Sequence, residues 1–381
     1  MEPQQPDPNQ IEPILLDRPS FFRWLWQHLW AFKTWGRRQK FITGLIILLL
    51  VGVVVYFAFF RSSNNSGGVA SQNIGQAPTT VASPLTGVQV TPALAARPVT
   101  AVMIENSTDA RPQSGLDSAG TVFEAVAEGG ITRFVALFQE ARPSYIGPVR
   151  SVRPYYLDWV APFQASVAHV GGSPDALRQV RGGMRDLDEF FNANNYWRIN
   201  SRFAPHNVYT SFAKLDALNK SKGYKTSNFT PWPRKAEAPS ATPTVKTIHL
   251  TLSGFDYDVS YTYNQKTNSY YRSEGGAPHM EVSATGKRTQ IHPKVVIAMA
   301  VPLKAGALDA SGAYYSDYSI IGRGLVDIFQ DGRLTRGTWI KKGISDQLSF
   351  VDANGQSIAL DPGQTWVTAV TSGSDITHST K

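Results

Sequence analysis

Ten arginines and no lysine lie between residues 98 and 210, whereas lysine dominates the cations of 214–246. A guanidinium offers a planar fork of donors to carboxylate or phosphate and tolerates partial burial when paired. Arg111, Arg150, Arg153 and Arg202 stand beside Pro or Ser, and Arg133 follows Gly-Gly-Ile-Thr, in segments that read as turns and strand ends. That placement points to an anion-binding cleft assembled from loops, with Asn106, Gln113, His169, His206 and Asn207 as orienting polar groups. The same arginines suit structural pairing with Glu105, Glu124, Glu128 and Asp158, and the sequence leaves both readings open.

Acid–base chemistry has three candidates: Glu124, Glu128 and His169. Two carboxylates flanking a glycosidic bond would serve hydrolysis, but four residues of strand separate their Cα atoms by about 13 Å. His169 precedes Gly171-Gly172-Ser173-Pro174, where a strand should give way to a helix and an anion could meet the helix N-terminus. Ser173 lacks the Gly-x-Ser-x-Gly frame of a nucleophile elbow, and Pro174 marks it as an N-cap. His169 and His206, with Asp158 or Glu128, lack the spacing of a metal site, so no metal is expected. No phosphate-cradling loop or dinucleotide fingerprint occurs, and no cofactor is expected. Cysteine is absent, which excludes thiol catalysis, cysteine-ligated metals and lipid attachment through an N-terminal Cys.

The elements that must position these groups follow from pattern. Apolar runs predict strands over 98–104, 121–128, 132–139 and 165–170, with a turn at Gly129-Gly130. Helical segments are expected over 153–163 and 175–181, so the first outer domain, 96–235, reads as α/β or α+β. A second domain, 246–371, reads as β-rich, with alternation at 257–263, an apolar run at 295–301, and turns at Asp331-Gly332 and Asn354-Gly355. Trp339 and Trp366 are its expected anchors, and residues after 372 read as frayed.

Upstream, 41–60 is an unbroken apolar run, long enough for a helix to cross a bilayer. Arg37, Arg38 and Lys40 precede it, which places the N-terminus inside and everything after 61 outside. Residues 1–40 then form a cytoplasmic tail whose Trp- and Phe-rich part suits the inner membrane interface, with membrane lipid as its partner. A Ser-, Asn- and Gly-rich stretch, 61–95, reads as a flexible spacer. The net charge of +8 is spread along the chain, so no nucleic-acid partner is expected.

Several blocks in order resemble the YerB-like family (DUF3048). They include Met103-Ile104-Glu105-Asn106, Ala110-Arg111-Pro112-Gln113-Ser114-Gly115 and Glu128-Gly129-Gly130-Ile131-Thr132-Arg133. Gly147-Pro148-Val149-Arg150-Ser151-Val152-Arg153-Pro154, His169-Val170-Gly171-Gly172-Ser173 and Ala204-Pro205-His206-Asn207 continue the series. Thr338-Trp339-Ile340-Lys341 and Asp361-Pro362-Gly363-Gln364-Thr365-Trp366 resemble the family's second domain. The resemblance implies a two-domain bacterial envelope protein and supplies no activity. Relatives resemble lipoproteins, and here a transmembrane helix in the cytoplasmic membrane is expected to replace the lipid. The expected function is binding of an anionic envelope ligand such as a peptidoglycan fragment or another wall polymer. A wall hydrolase using Glu or His, and a scaffold for envelope-synthesis proteins, are the alternatives.

Overall fold

A computed structural model describes residues 36–37, 79–308 and 314–380. The expected transmembrane helix at 41–60, nearly all of the expected tail and the first part of the expected spacer lie outside the described residues. Among the described residues, no helix is long and apolar enough to cross a membrane. Residues Ala77–Lys381 form one compact unit.

The fold is mostly β with few helices, and its two sequence halves share a sheet. In the first half, β1 is Thr100–Glu105, β2 Thr121–Glu128, β3 Ile131–Phe138, β4 Ser166–His169 and β5 Arg185–Asp188. Helices α1 (Pro154–Val160), α2 (Pro174–Arg181) and α3 (Phe212–Ser221) interleave with or follow them. The second half supplies β6 (Thr247–Leu250), β7 (Val259–Asn264), β8 (Ser269–Glu274) and β9 (Ala277–Pro278). It continues with β10 (Val295–Ala300), β11 (Gly322–Gln330), β12 (Arg333–Lys341), β13 (Ser349–Val351), β14 (Thr365–Val370) and β15 (Ile376–Ser379).

The principal sheet runs β13-β12-β11-β10-β14-β2-β3-β1-β4-β5. Strand β14 lies parallel to both β10 and β2, pairing Thr365 with Val295 on one side and Thr121 on the other. Strands β1 and β14 are buried along their whole length, as the apolar runs of central parallel strands require. Trp366 is fully buried and packs edge-on against Phe134 of β3, 5.3 Å between centroids, so it joins both halves. A second sheet, β9-β8-β7-β6-β15, packs beside the first through the shared core.

Local chemistry explains the turns. Glu128-Gly129-Gly130-Ile131 reverses the chain with φ of +59° and +80° at its glycines, the left-handed pair of a two-residue hairpin. Pro174 opens α2 as expected, yet the Ser173 hydroxyl makes no cap bond and lies buried without a partner.

Two expectations are corrected. The spacer expected to reach residue 95 gives way to a hairpin of Val81–Ala82 with Gln89–Val90 and a helical turn at Pro92–Ala95. Leu85 is buried there, and its carbonyl accepts from Arg234, so one apolar side chain and one arginine fix a polar stretch. The tail expected to fray pairs as β15 with β6, from Thr247↔Ser379 to Leu250↔Ile376.

Candidate functional site

In the principal sheet β10, β14, β2, β1, β4 and β5 run in one direction, with β3 and β11 opposed. Their carboxyl ends therefore share one edge, carrying Glu128, Glu105, His169 and Asp188. Ligands of open α/β sheets favour that edge. The chain enters at the opposite edge, where the Thr86 carbonyl accepts from Gly363 and the Leu85 side chain abuts Gly120.

A polar network lies where the halves meet. Glu124 Oε1 accepts from Arg272, 2.8 Å away, and Oε2 from Trp366 Nε1 and Thr368 Oγ1 at 2.9 and 3.1 Å. Arg272 also donates to Tyr261 Oη at 3.0 Å and to His279 Nδ1 at 2.8 Å. His279 Nε2 faces Gln113 Oε1 at 2.9 Å, and Gln113 Nε2 donates to Asn106 Oδ1 at 2.7 Å. Asn106 Nδ2 donates to Glu274 Oε1 at 2.6 Å. Burial, then the Arg272 charge, pushes the His279 imidazole well below its ordinary range, so it sits there neutral. Burial raises the Glu274 carboxyl to about 7 against the pull of Arg272.

This network backs a cavity of about 320 Å³ lined by Arg111, Asp256, Glu274, His279 and Arg288, among others. That volume reaches the lower end of ligand pockets, which favour domain interfaces. Arg111 donates to the carbonyls of Asp256 and Asn106 and to Asn106 Oδ1, and pairs with Glu274 at 3.3 Å. It is a wall, not a free cation. Arg288, by contrast, is exposed and makes no side-chain hydrogen bond or ion pair among the described residues. Glu274 is nearly sealed from solvent; its Oε2 lies 3.4 Å from His279 Nδ1 and makes no hydrogen bond among the described residues. The cavity is thus lined by both a nearly sealed carboxyl group and an exposed guanidinium.

The remaining arginines do not converge on that cavity. Arg133 and Arg153 share Glu128, Arg133 through a short bond to Oε1 and Arg153 at 2.8 Å from Oε2. Burial alone would raise the Glu128 carboxyl, but Arg133 and Arg153 outweigh it and hold it below its ordinary value. Arg202 donates to the carbonyls of Ala110 and Pro112 at 2.5 and 2.6 Å, stapling one loop to another. Asn207 accepts from Arg198 and donates to the carbonyls of Ile199 and Arg202. Arg150 stands 3.2 Å from Glu105, whose Oε1 also meets His206 Nδ1 at 2.9 Å. The single arginine-lined cleft expected from the sequence is therefore replaced by separate carboxylate pairings.

The three acid–base candidates are likewise occupied. Glu124 has both oxygens taken, and Glu128 belongs to a different arginine cluster. A register shift in β2 falls between Val126 and Glu128, which removes the regular spacing a carboxylate pair would have needed. His169 is fully buried, with Nδ1 on the Gly171 carbonyl at 2.8 Å and Nε2 on Asp186 at 3.0 Å. It fixes the turn after β4 and has no free nitrogen. Glu274, Arg272, His279 and Arg288 were missed from sequence. Tyr270, Arg272 and Glu274 alternate on the buried face of β8, a cation and an acid where apolar residues belong, and that was the available signal.

Residues 85–225 match the N-terminal domain, and residues 248–367 the C-terminal domain, of a family described as protein of unknown function, DUF3048. The Bacillus subtilis protein named "Putative lipoprotein YerB" is 32% identical over 299 residues, 76% of this chain and 86% of its own length. The crystal structure of the YerB protein from Bacillus subtilis is similar with a TM-score of 0.68 and 29% identity. That match covers 78% of this chain and 99% of the solved one.

Proposed function

The chain belongs to the YerB-like DUF3048 family, and from that premise we propose a membrane-associated extracytoplasmic protein that binds envelope ligands. The binding site is the cavity between its halves. One observation carries this reading: Glu274, whose buried Oε2 makes no hydrogen bond among the described residues, and the exposed Arg288 line the same cavity. A carboxylate and a guanidinium lining one cavity fit a ligand with N–H groups and a negative charge. Peptide stems of the bacterial wall have both.

Calorimetric titration of residues 77–381 with a synthetic wall stem peptide tests the proposal. The match covers nearly all of the solved relative with 78% of this chain, so the compact unit is a fair sample of the folded protein. Arg288→Ala and Glu274→Gln should each weaken binding at least tenfold, with the thermal midpoint of Arg288→Ala unchanged. Binding equal to wild type in both variants overturns the site.

A further inference from the structure

A second site stands at the carboxyl end of β1, separate from the cavity. Glu105 is 3% exposed at its side chain and collects three partners on Oε1. Ser107 Oγ donates from 3.1 Å, His206 Nδ1 lies at 2.9 Å and Arg150 Nε at 3.2 Å. Ser107 Oγ also lies 3.2 Å from His206 Nδ1. Glu105 Oε2 is buried without a hydrogen bond. The His206 and Arg150 side chains are both 23% exposed. Among the described residues, no hydrogen bond is made by His206 Nε2 or by the terminal nitrogens of Arg150.

A carboxylate on Nδ1–H fixes the imidazole tautomer and leaves Nε2 with a free lone pair, the arrangement of a general base. The free guanidinium on the same carboxylate is placed to hold an anion beside that base. Around it Arg133, Arg150 and Arg153 face only Glu105 and Glu128, so cations outnumber acids. Arg202 anchors the histidine loop to the backbone at 110–112 and is a positioning residue.

We infer that Glu105, His206 and Arg150 form an acid–base site that hydrolyses phosphodiesters. Arg150 holds a non-bridging phosphate oxygen. His206 Nε2 takes a proton from water as the water oxygen bonds to phosphorus. The bond from phosphorus to the leaving oxygen breaks, that oxygen takes a proton from solvent, and the imidazolium releases its proton to solvent. Glu105 keeps the imidazole oriented throughout and stabilises its charged form.

The test is release of 4-nitrophenolate from bis(4-nitrophenyl) phosphate by residues 77–381. Wild type should exceed the buffer rate, and His206→Gln should lose at least 100-fold, as removal of a general base requires. Arg150→Ala should raise KM more than it lowers kcat. His206→Ala should regain activity when free imidazole is added, a rescue that a structural histidine would not show. If wild type is no faster than buffer, if His206→Gln is as active as wild type, or if folded His206→Ala is not rescued, the inference is wrong.

Discussion

Arg272 reaches back across 148 residues of sequence to place its guanidinium 2.8 Å from Glu124 Oε1, with both side chains sealed from solvent. The charge lies 4.7 Å from the Trp366 ring and 5.7 Å from that of Phe134. Two buried ions are tolerable here because Tyr261, His279, Trp366 and Thr368 supply matched donors, acceptors and a π face.

Removing one partner should therefore cost more than removing both. Arg272→Met strands Glu124 and should lose about 3–5 kcal/mol in urea unfolding. Adding Glu124→Gln should recover part of that loss, because no bare charge then remains inside.

Protonation of Glu274 sets a pH dependence. Its carboxyl titrates from 4.5 unfolded to about 7 folded, raised first by burial. Between those values the folded chain binds more protons than the unfolded one, so stability falls as pH rises through the window. Glu274→Gln should flatten that slope, by on the order of 1–3 kcal/mol over the window. Asp361, raised to about 6 by burial, acts in the same direction and leaves a residual slope. Thermal melts at pH 5 and pH 8 measure the difference.

Cutting the Arg202 staple should loosen the 199–207 loop and spare the core. Arg202→Ala leaves the Ala110 and Pro112 carbonyls without that donor. Hydrogen exchange should quicken at His206 and Asn207, while β1 and β14 keep their protection. Unchanged exchange in the loop would contradict the stapling role.

Gly337 of β12 has no room for a side chain. A Cβ there would lie 2.3 Å from the Val351 carbonyl oxygen on β13. Gly337→Ala should push β13 away and cost about 1–3 kcal/mol, read by denaturant midpoint.

The sequence made the local parts of this architecture legible. Strand β2 matches the expected 121–128, and β3 and β4 fall within a residue of expectation, because central strands are continuous apolar runs bounded by turn residues. Strand β5, Arg-Asp-Leu-Asp, carries no such run and is a strand only because β4 offers it an edge. The candidate site was less legible. Asn106, Arg111 and Gln113 do gather at the cavity, but as its scaffold. The groups left open, Glu274 and Arg288, come from the other half of the chain, and periodicity carries no record of which halves meet. Of the two histidines, His169 was the one expected to do acid–base chemistry, yet it is His206 whose Nε2 makes no hydrogen bond among the described residues, and pattern does not record that difference.

The position of β14 bears on how the chain comes into being. Thr121 waits for Thr365, and the sheet cannot be completed until nearly all of the polypeptide is available. Pairings this distant in sequence are slow to form. A chain delivered N-terminus first would hold the bare flank of β2 through most of its synthesis, and a copy ending before residue 365 would never close it. Completion of the sheet therefore rests on the last stretch made.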